Sequence, residues 1–142
     1  YRQPMYAEFE KQLYAMLENK EAVSSQKLTS LYMELSRQYY GDAVEVDDLQ
    51  RYHCYYIPHF YFNFYVYKYT LGMSVALSFA KKILAGDTTE YLEFLTKGGN
   101  ESPLDELIHA GVDPRVDSIY DDAFTFFEKT LDEFSELMKV KR

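Results

Sequence analysis

Residues 52–69 read Tyr-His-Cys-Tyr-Tyr-Ile-Pro-His-Phe-Tyr-Phe-Asn-Phe-Tyr-Val-Tyr-Lys-Tyr. More than half of this stretch is aromatic, it holds two of the three histidines, and it contains no acid. Its secondary structure decides the fold class. Aromatic and β-branched residues favour strands, so residues 60–66 can be read as one. Nothing else in the chain offers a strand to pair with it, and the helical reading is preferred. Proline suits the first turn of a helix and pushes the residue before it out of the α region. Ile57-Pro58 therefore predicts a break, with a new helix from about His59 or slightly later, through Leu71, Val75, Phe79 and Lys81-Lys82 to about Ala85-Gly86.

The same stretch carries seven phenol hydroxyls. A core needs aliphatic bulk, and a buried hydroxyl left unpaired costs roughly 1–3 kcal/mol. Two readings stand side by side. One is an aromatic-rich core segment with its polar tips wet; the other is a pocket wall that donates hydrogen bonds to something bound.

Around this stretch the rest of the chain reads as helix. Phe9, Leu13, Met16 and Leu17 recur at spacings of three and four, with Glu8, Glu10, Lys11, Glu18 and Lys20 on the other face. That is an amphipathic helix of about 20 residues beginning near Pro4. Ser24-Ser25 offers an N-cap to a second helix, which Gly41 stops. The acidic run Glu45-Val46-Asp47-Asp48 suits the N-terminus of the next element. Gly72, Ser74, Ala76, Ser78 and Ala80 alternate with larger apolar residues, so residues 69–80 are expected to form an interior helix approached from all sides. A short helix follows Asp87-Thr88-Thr89 and ends at Gly98-Gly99; another follows Ser102-Pro103 and ends at Gly111. The last spans about Ser118 to Val140, with Lys139, Lys141 and Arg142 complementing its dipole. The fold class is all-α, a single region over residues 1–142.

Composition narrows the partners. The chain has 142 residues, 47% hydrophobic and 27% charged, enough for one domain with a core. A net charge of -8 argues against nucleic acid and against an anionic membrane surface. The uncharged run 69–80 is too short to span a bilayer. Cys54, the one cysteine, excludes an internal disulfide and fits a reducing compartment. It is read as a small buried residue. The N-terminus shows no signal-peptide pattern and no initiator Met, which suggests a start inside a longer polypeptide. There is no Gly-rich phosphate loop, no nucleophile elbow and no histidine-containing metal-ligand pair at helical spacing. The paired carboxylates Asp121-Asp122 and Glu133-Glu136 read as solvated faces, and His109 as a capping or surface residue. Only His59, with the tyrosines around it, rises above background.

Here the residues also carry a resemblance. Ile57-Pro58-His59-Phe60-Tyr61, followed by Phe64-Tyr65-Val66-Tyr67-Lys68-Tyr69, resembles the C-terminal signature of oligoendopeptidase F, a zinc metallopeptidase of the thimet-oligopeptidase-like group. Arg2-Gln3, Ala7-Glu8-Phe9-Glu10, Tyr39-Tyr40-Gly41-Asp42, Tyr91-Leu92-Glu93-Phe94-Leu95, Gly98-Gly99 and Ala110-Gly111-Val112-Asp113 are similar to family segments in the same order. The resemblance implies a helical bundle forming the C-terminal part of a larger helical metallopeptidase catalytic domain. It also implies short peptide substrates and a cytoplasmic setting. The His-Glu-x-x-His segment that such enzymes use for zinc and for the general base is absent from the 142 residues. On this reading zinc belongs to the full-length enzyme, and the chain alone holds no metal and hydrolyses nothing.

By its motif the resemblance assigns His59, Tyr67 and Tyr65 to hydrogen-bonding the substrate and the developing oxyanion. Tyr61 and His53 are assigned to substrate binding. On one straight helix the Cα atoms of His59 and Tyr67 would stand roughly 12 Å apart. They converge only if His59 sits on the entry turn. Tyr65 and Tyr67, two apart, cannot share one helical face. Cys54-Tyr55-Tyr56 stands where the family often carries Trp-Ala-Arg, so no arginine contact is implied there. The rival reading is a non-enzymatic helical module that binds a peptide or partner helix in an aromatic groove. A third is an all-α packing domain with no ligand.

Overall fold

In the computed structural model, residues 1–140 are described, the side chain of Val140 excepted, so Lys141 and Arg142 of the expected C-terminal charge cluster lie outside the described residues. The described chain is all-helical. It comprises α1 (Arg2–Glu18), α2 (Ser25–Tyr40), α3 (His53–Tyr56), α4 (Tyr67–Leu84), α5 (Thr89–Lys97), α6 (Pro103–His109) and α7 (Ser118–Val140). Single 3-10 turns at Asp48–Tyr52 and Pro58–Tyr61 flank α3. It divides into two compact units, residues 1–70 and residues 71 onward.

Local chemistry sets most boundaries. The Ser24 hydroxyl accepts the Lys27 N–H and starts α2, and Gly41, at φ 64°, ends it. Asp47 accepts the Leu49 N–H at 2.6 Å, so the acidic run does cap an element, although that element is a 3-10 turn. Ser102 accepts the Asp105 N–H and starts α6. Gly98, at φ 62°, closes α5.

The first unit is built on Met5 and Phe9 of α1 packed against Leu31, Tyr32 and Leu35 of α2, with Cys54 and Ile57. Burial pushes the Cys54 thiol up, and it donates to the Arg51 carbonyl, which is the inert buried cysteine expected. Phe60 stands 4.9 Å from the Phe9 ring and 5.5 Å from Tyr6, centroid to centroid. Buried Ile57 and core-packed Phe60 thus pin the turn between them. Two expectations for α1 fail. Glu10, placed on the polar face, is 2% exposed, and Leu17, placed on the apolar face, is exposed. A carboxyl can leave water when a donor meets it, and one does.

The second unit buries Val75 and Phe79 of α4 with Ala110, Val112 and Ile119. Lys82 donates to the Gly111 carbonyl at 2.9 Å and pairs with Glu90. Only Ser74, Val75 and Phe79 of α4 are buried, and Met73 is 64% exposed. The expected all-round burial of residues 69–80 is therefore not met among the described residues, because α5 and the segment around residues 110–119 cover one face only. Along α7, Phe126, Leu131, Phe134 and Leu137 are exposed too. No helix is long and apolar enough to cross a membrane among the described residues.

Candidate functional site

The helix expected from about His59 does not start there. After the Pro58–Tyr61 turn the chain swings through Asn63 at φ 45° and Phe64 at φ 52°, and α4 begins only at Tyr67. Two successive left-handed residues cannot continue a right-handed helix. The kink has a consequence for the tyrosines, because it turns Tyr65 back toward the preceding turn.

His59 lies on that turn, as convergence requires, and it meets Tyr65 and Tyr69. The Tyr65 ring stacks on the imidazole with centroids 5.8 Å apart and planes 16° apart. The Tyr69 ring meets it edge-on at 5.8 Å, and the Tyr69 hydroxyl stands 3.5 Å from His59 Nε2. Tyr65 and Tyr69 pack edge to face at 5.7 Å. Phe62 abuts Tyr65, and the Lys68 ammonium sits 4.8 Å over its ring. The neighbouring Tyr65 phenol holds the Tyr69 phenol above its ordinary value.

The other candidates fall around this group. Tyr67 opens α4 and is 50% exposed, and its side chain has no hydrogen bond or ring contact among the described residues. The Tyr61 hydroxyl donates to the Tyr55 carbonyl at 2.6 Å while most of its ring stays exposed. His53 packs on Tyr56 at 4.9 Å and has no ring contact with His59. His109 lies at the surface with Nδ1 2.6 Å from a Glu101 carboxylate oxygen. Tyr69 lies within the quoted signature, which assigns it no role. Tyr65 precedes α4, so no helical spacing from it signals Tyr69; the turn at residues 63–64 brings the two rings together.

The chemistry of such a group is donation. A neutral phenol and an imidazole N–H can both hydrogen-bond a carbonyl oxygen, and better so as charge develops on it. The Tyr69–His59 approach is long for a hydrogen bond, so a better acceptor could take the phenol proton's bond. No group of three or more His, Cys, Asp or Glu side chains that could hold a metal exists among the described residues. The side chains present therefore do not fit a zinc site by themselves.

Comparison with known proteins agrees with the resemblance to oligoendopeptidase F. Residues 1–126 match the profile of peptidase family M3. Chromosomal oligoendopeptidase F of Lactococcus lactis subsp. cremoris is 37% identical over 98% of this chain and 24% of its own length. Oligopeptidase PepF of Bacillus subtilis is 37% identical over all of this chain and 22% of its own. The crystal structure of oligoendopeptidase-F from Enterococcus faecium superposes with a TM-score of 0.94 at 37% identity, over 97% of this chain and 27% of that one. The chain thus spans about a quarter of the length of the relatives it matches. It belongs to peptidase family M3.

Proposed function

We propose that the whole protein is a cytoplasmic metalloendopeptidase that hydrolyses short peptides, and that this chain supplies the wall of its cleft that binds the peptide. The observation that carries this reading is the gathering of Tyr65 and Tyr69 on His59 at an exposed edge of the first unit. Family membership supports the reaction class. The cofactor on this reading is zinc, held together with the general base by residues outside the 142. The chain alone then holds no metal and is inactive.

The roles of this chain's side chains follow from their positions. His59 donates to the peptide carbonyl. Tyr69 gives up its long approach to His59 and donates to the oxygen as negative charge develops there. Tyr65 stacks on His59 and fixes the plane of the imidazole. Tyr67, half-exposed and unengaged, binds the peptide as a second donor, and Tyr61 and His53 line the cleft beyond. A net charge of -8 disfavours nucleic acid, and nothing in the described helices suits a membrane span. The exposed apolar residues of α4 and α7, such as Met73, Phe134 and Leu137, are the surface on which the rest of the catalytic domain packs.

The test is hydrolysis of a fluorescence-quenched peptide by the whole protein carrying His59→Ala. The expected result is a loss of turnover on the order of 10²-fold or more at unchanged zinc content. Wild-type turnover by that variant overturns the assignment of this wall.

A further inference from the structure

Glu10 sits in the middle of α1, 2% exposed, in an element whose other buried residues are Met5 and Phe9. A buried carboxyl is costly unless it is hydrogen-bonded. Here it accepts the backbone N–H of Phe64, 54 residues later in the chain. One helical turn further along α1, the Tyr14 hydroxyl donates to the Asn63 side-chain oxygen at 2.8 Å, and the Tyr14 ring lies 4.5 Å from the Phe64 ring. Both residues held in this way are the left-handed ones, Asn63 at φ 45° and Phe64 at φ 52°. Asparagine tolerates that region; phenylalanine has no local means of compensating for it. Two left-handed non-glycine residues in succession persist only where the surroundings over-determine them. The surroundings are Glu10 and Tyr14, at i and i+4 on one face of α1. Immediately after the pair comes Tyr65, whose ring lies on His59.

We propose that Glu10 is a positioning residue for the peptide-binding wall. Acting through the Phe64 amide, and seconded by Tyr14 through Asn63, it holds residues 62–65 in the left-handed turn that keeps Tyr65 against His59. The carboxyl touches no part of the His59 group directly; its effect travels through the backbone of one turn. The inference rests on the reading of His59, Tyr65 and Tyr69 as that wall.

The test uses the whole protein with 3-fluorotyrosine at position 65, so that the fluorine resonance reports the ring current of His59. Glu10→Ala removes the acceptor, whereas Glu10→Gln keeps an amide oxygen where Oε1 stood. The resonance is expected to move in Glu10→Ala toward its value in a His59→Ala protein, and to stay near wild type in Glu10→Gln. Turnover should fall about tenfold or more in the first and less than about twofold in the second. Tyr14→Phe removes only the hydroxyl on Asn63, so it serves if Glu10→Ala does not fold. It should move the resonance the same way. A resonance unmoved in Glu10→Ala, or in Tyr14→Phe where the former does not fold, makes these residues core packing alone and overturns the proposal. A moved resonance with wild-type turnover upholds the positioning and sinks the peptide-binding reading instead.

Discussion

The imidazole of His59 and the ring of Tyr65 lie almost parallel, 16° apart, with their centroids 5.8 Å from one another. Six positions separate them, and a regular helix would place them on different faces. Their contact exists because the chain reverses between them at Asn63 and Phe64. Any change that straightens the turn removes the stack without touching either ring.

Asn63 is the position where this can be tested by local sterics. A β-branched residue is a poor fit for a φ of 45°. Asn63→Val should destabilise the protein by about 1–2 kcal/mol from the backbone alone and lower turnover with it. Asn63→Gly loses the Tyr14 bond but fits the backbone, and should retain more of both. Denaturant unfolding and peptide hydrolysis measured side by side check the ranking; equal behaviour of the two variants would count against a strained turn.

Gly111 makes a second backbone prediction, in the other unit. Its φ is 69°, and a Cβ there would come within 2.5 Å of the Lys82 ammonium and a Glu90 carboxylate oxygen. Gly111→Ala therefore meets an unfavourable backbone region and pushes apart a pair that Lys82 also ties to the Gly111 carbonyl. The side chains can move, so the backbone term dominates, and a loss of about 1–2 kcal/mol is expected. A shift in the unfolding midpoint under a few tenths of that would show that the turn has another conformation open to it.

Tyr32 predicts a pH effect. Its ring is 1% exposed, its hydroxyl finds no hydrogen-bond partner among the described residues, and burial pushes the phenol far above its ordinary value. Burial also pushes Tyr39, which donates to Glu8, up to about 12. A folded-state pKa raised above the unfolded value favours the protonated, folded form. That contribution is fully present below the unfolded value of about 10 and is lost as pH rises through the folded one. Stability should therefore fall above about pH 10. Tyr32→Phe removes an unpaired buried hydroxyl and should be neutral or stabilising by up to about 1 kcal/mol near pH 7, with a shallower alkaline fall. Urea titrations at neutral and alkaline pH measure both effects; a large loss at neutral pH would mean that the hydroxyl is bonded after all.

What the sequence reveals of this molecule follows from how local each determinant is. Ser24, Ser102 and Gly41 act within a turn of where they stand, and the helices they bound are found where the spacing puts them. Ile57-Pro58 breaks the chain for a reason internal to proline. The turn at residues 63–64 is different. It contains no glycine, and what holds it lies 49 and 54 residues earlier, on a helix whose acids read as solvated. Asn63, tolerant of the left-handed region, was the only local sign. The helix expected from about His59 begins only at Tyr67, and no spacing on that helix signals the contact between Tyr69 and Tyr65. Family resemblance located the stretch; it did not supply the turn that arranges it.

The arrangement ranks the tyrosines, and the ranking can be measured in the whole protein at full zinc occupancy. Tyr69→Phe keeps the ring that packs on Tyr65 and His59 and removes only the hydroxyl 3.5 Å from Nε2. If that hydroxyl donates to the developing oxyanion, its loss costs on the order of 10²–10³ in turnover. The interaction strengthens as charge develops, so kcat should fall and KM should move little. Tyr67→Phe removes a hydroxyl with no partner in the described chain, on the first residue of α4. If that hydroxyl donates to the bound peptide alike in ground and transition states, KM should rise and kcat should hold. Tyr56→Phe, against His53 and away from the His59 group, is the control and should change neither. A kcat effect confined to Tyr67 would reverse the assignment. The stack on His59 would then be cleft packing, and the oxyanion donor would be the exposed phenol at the start of α4.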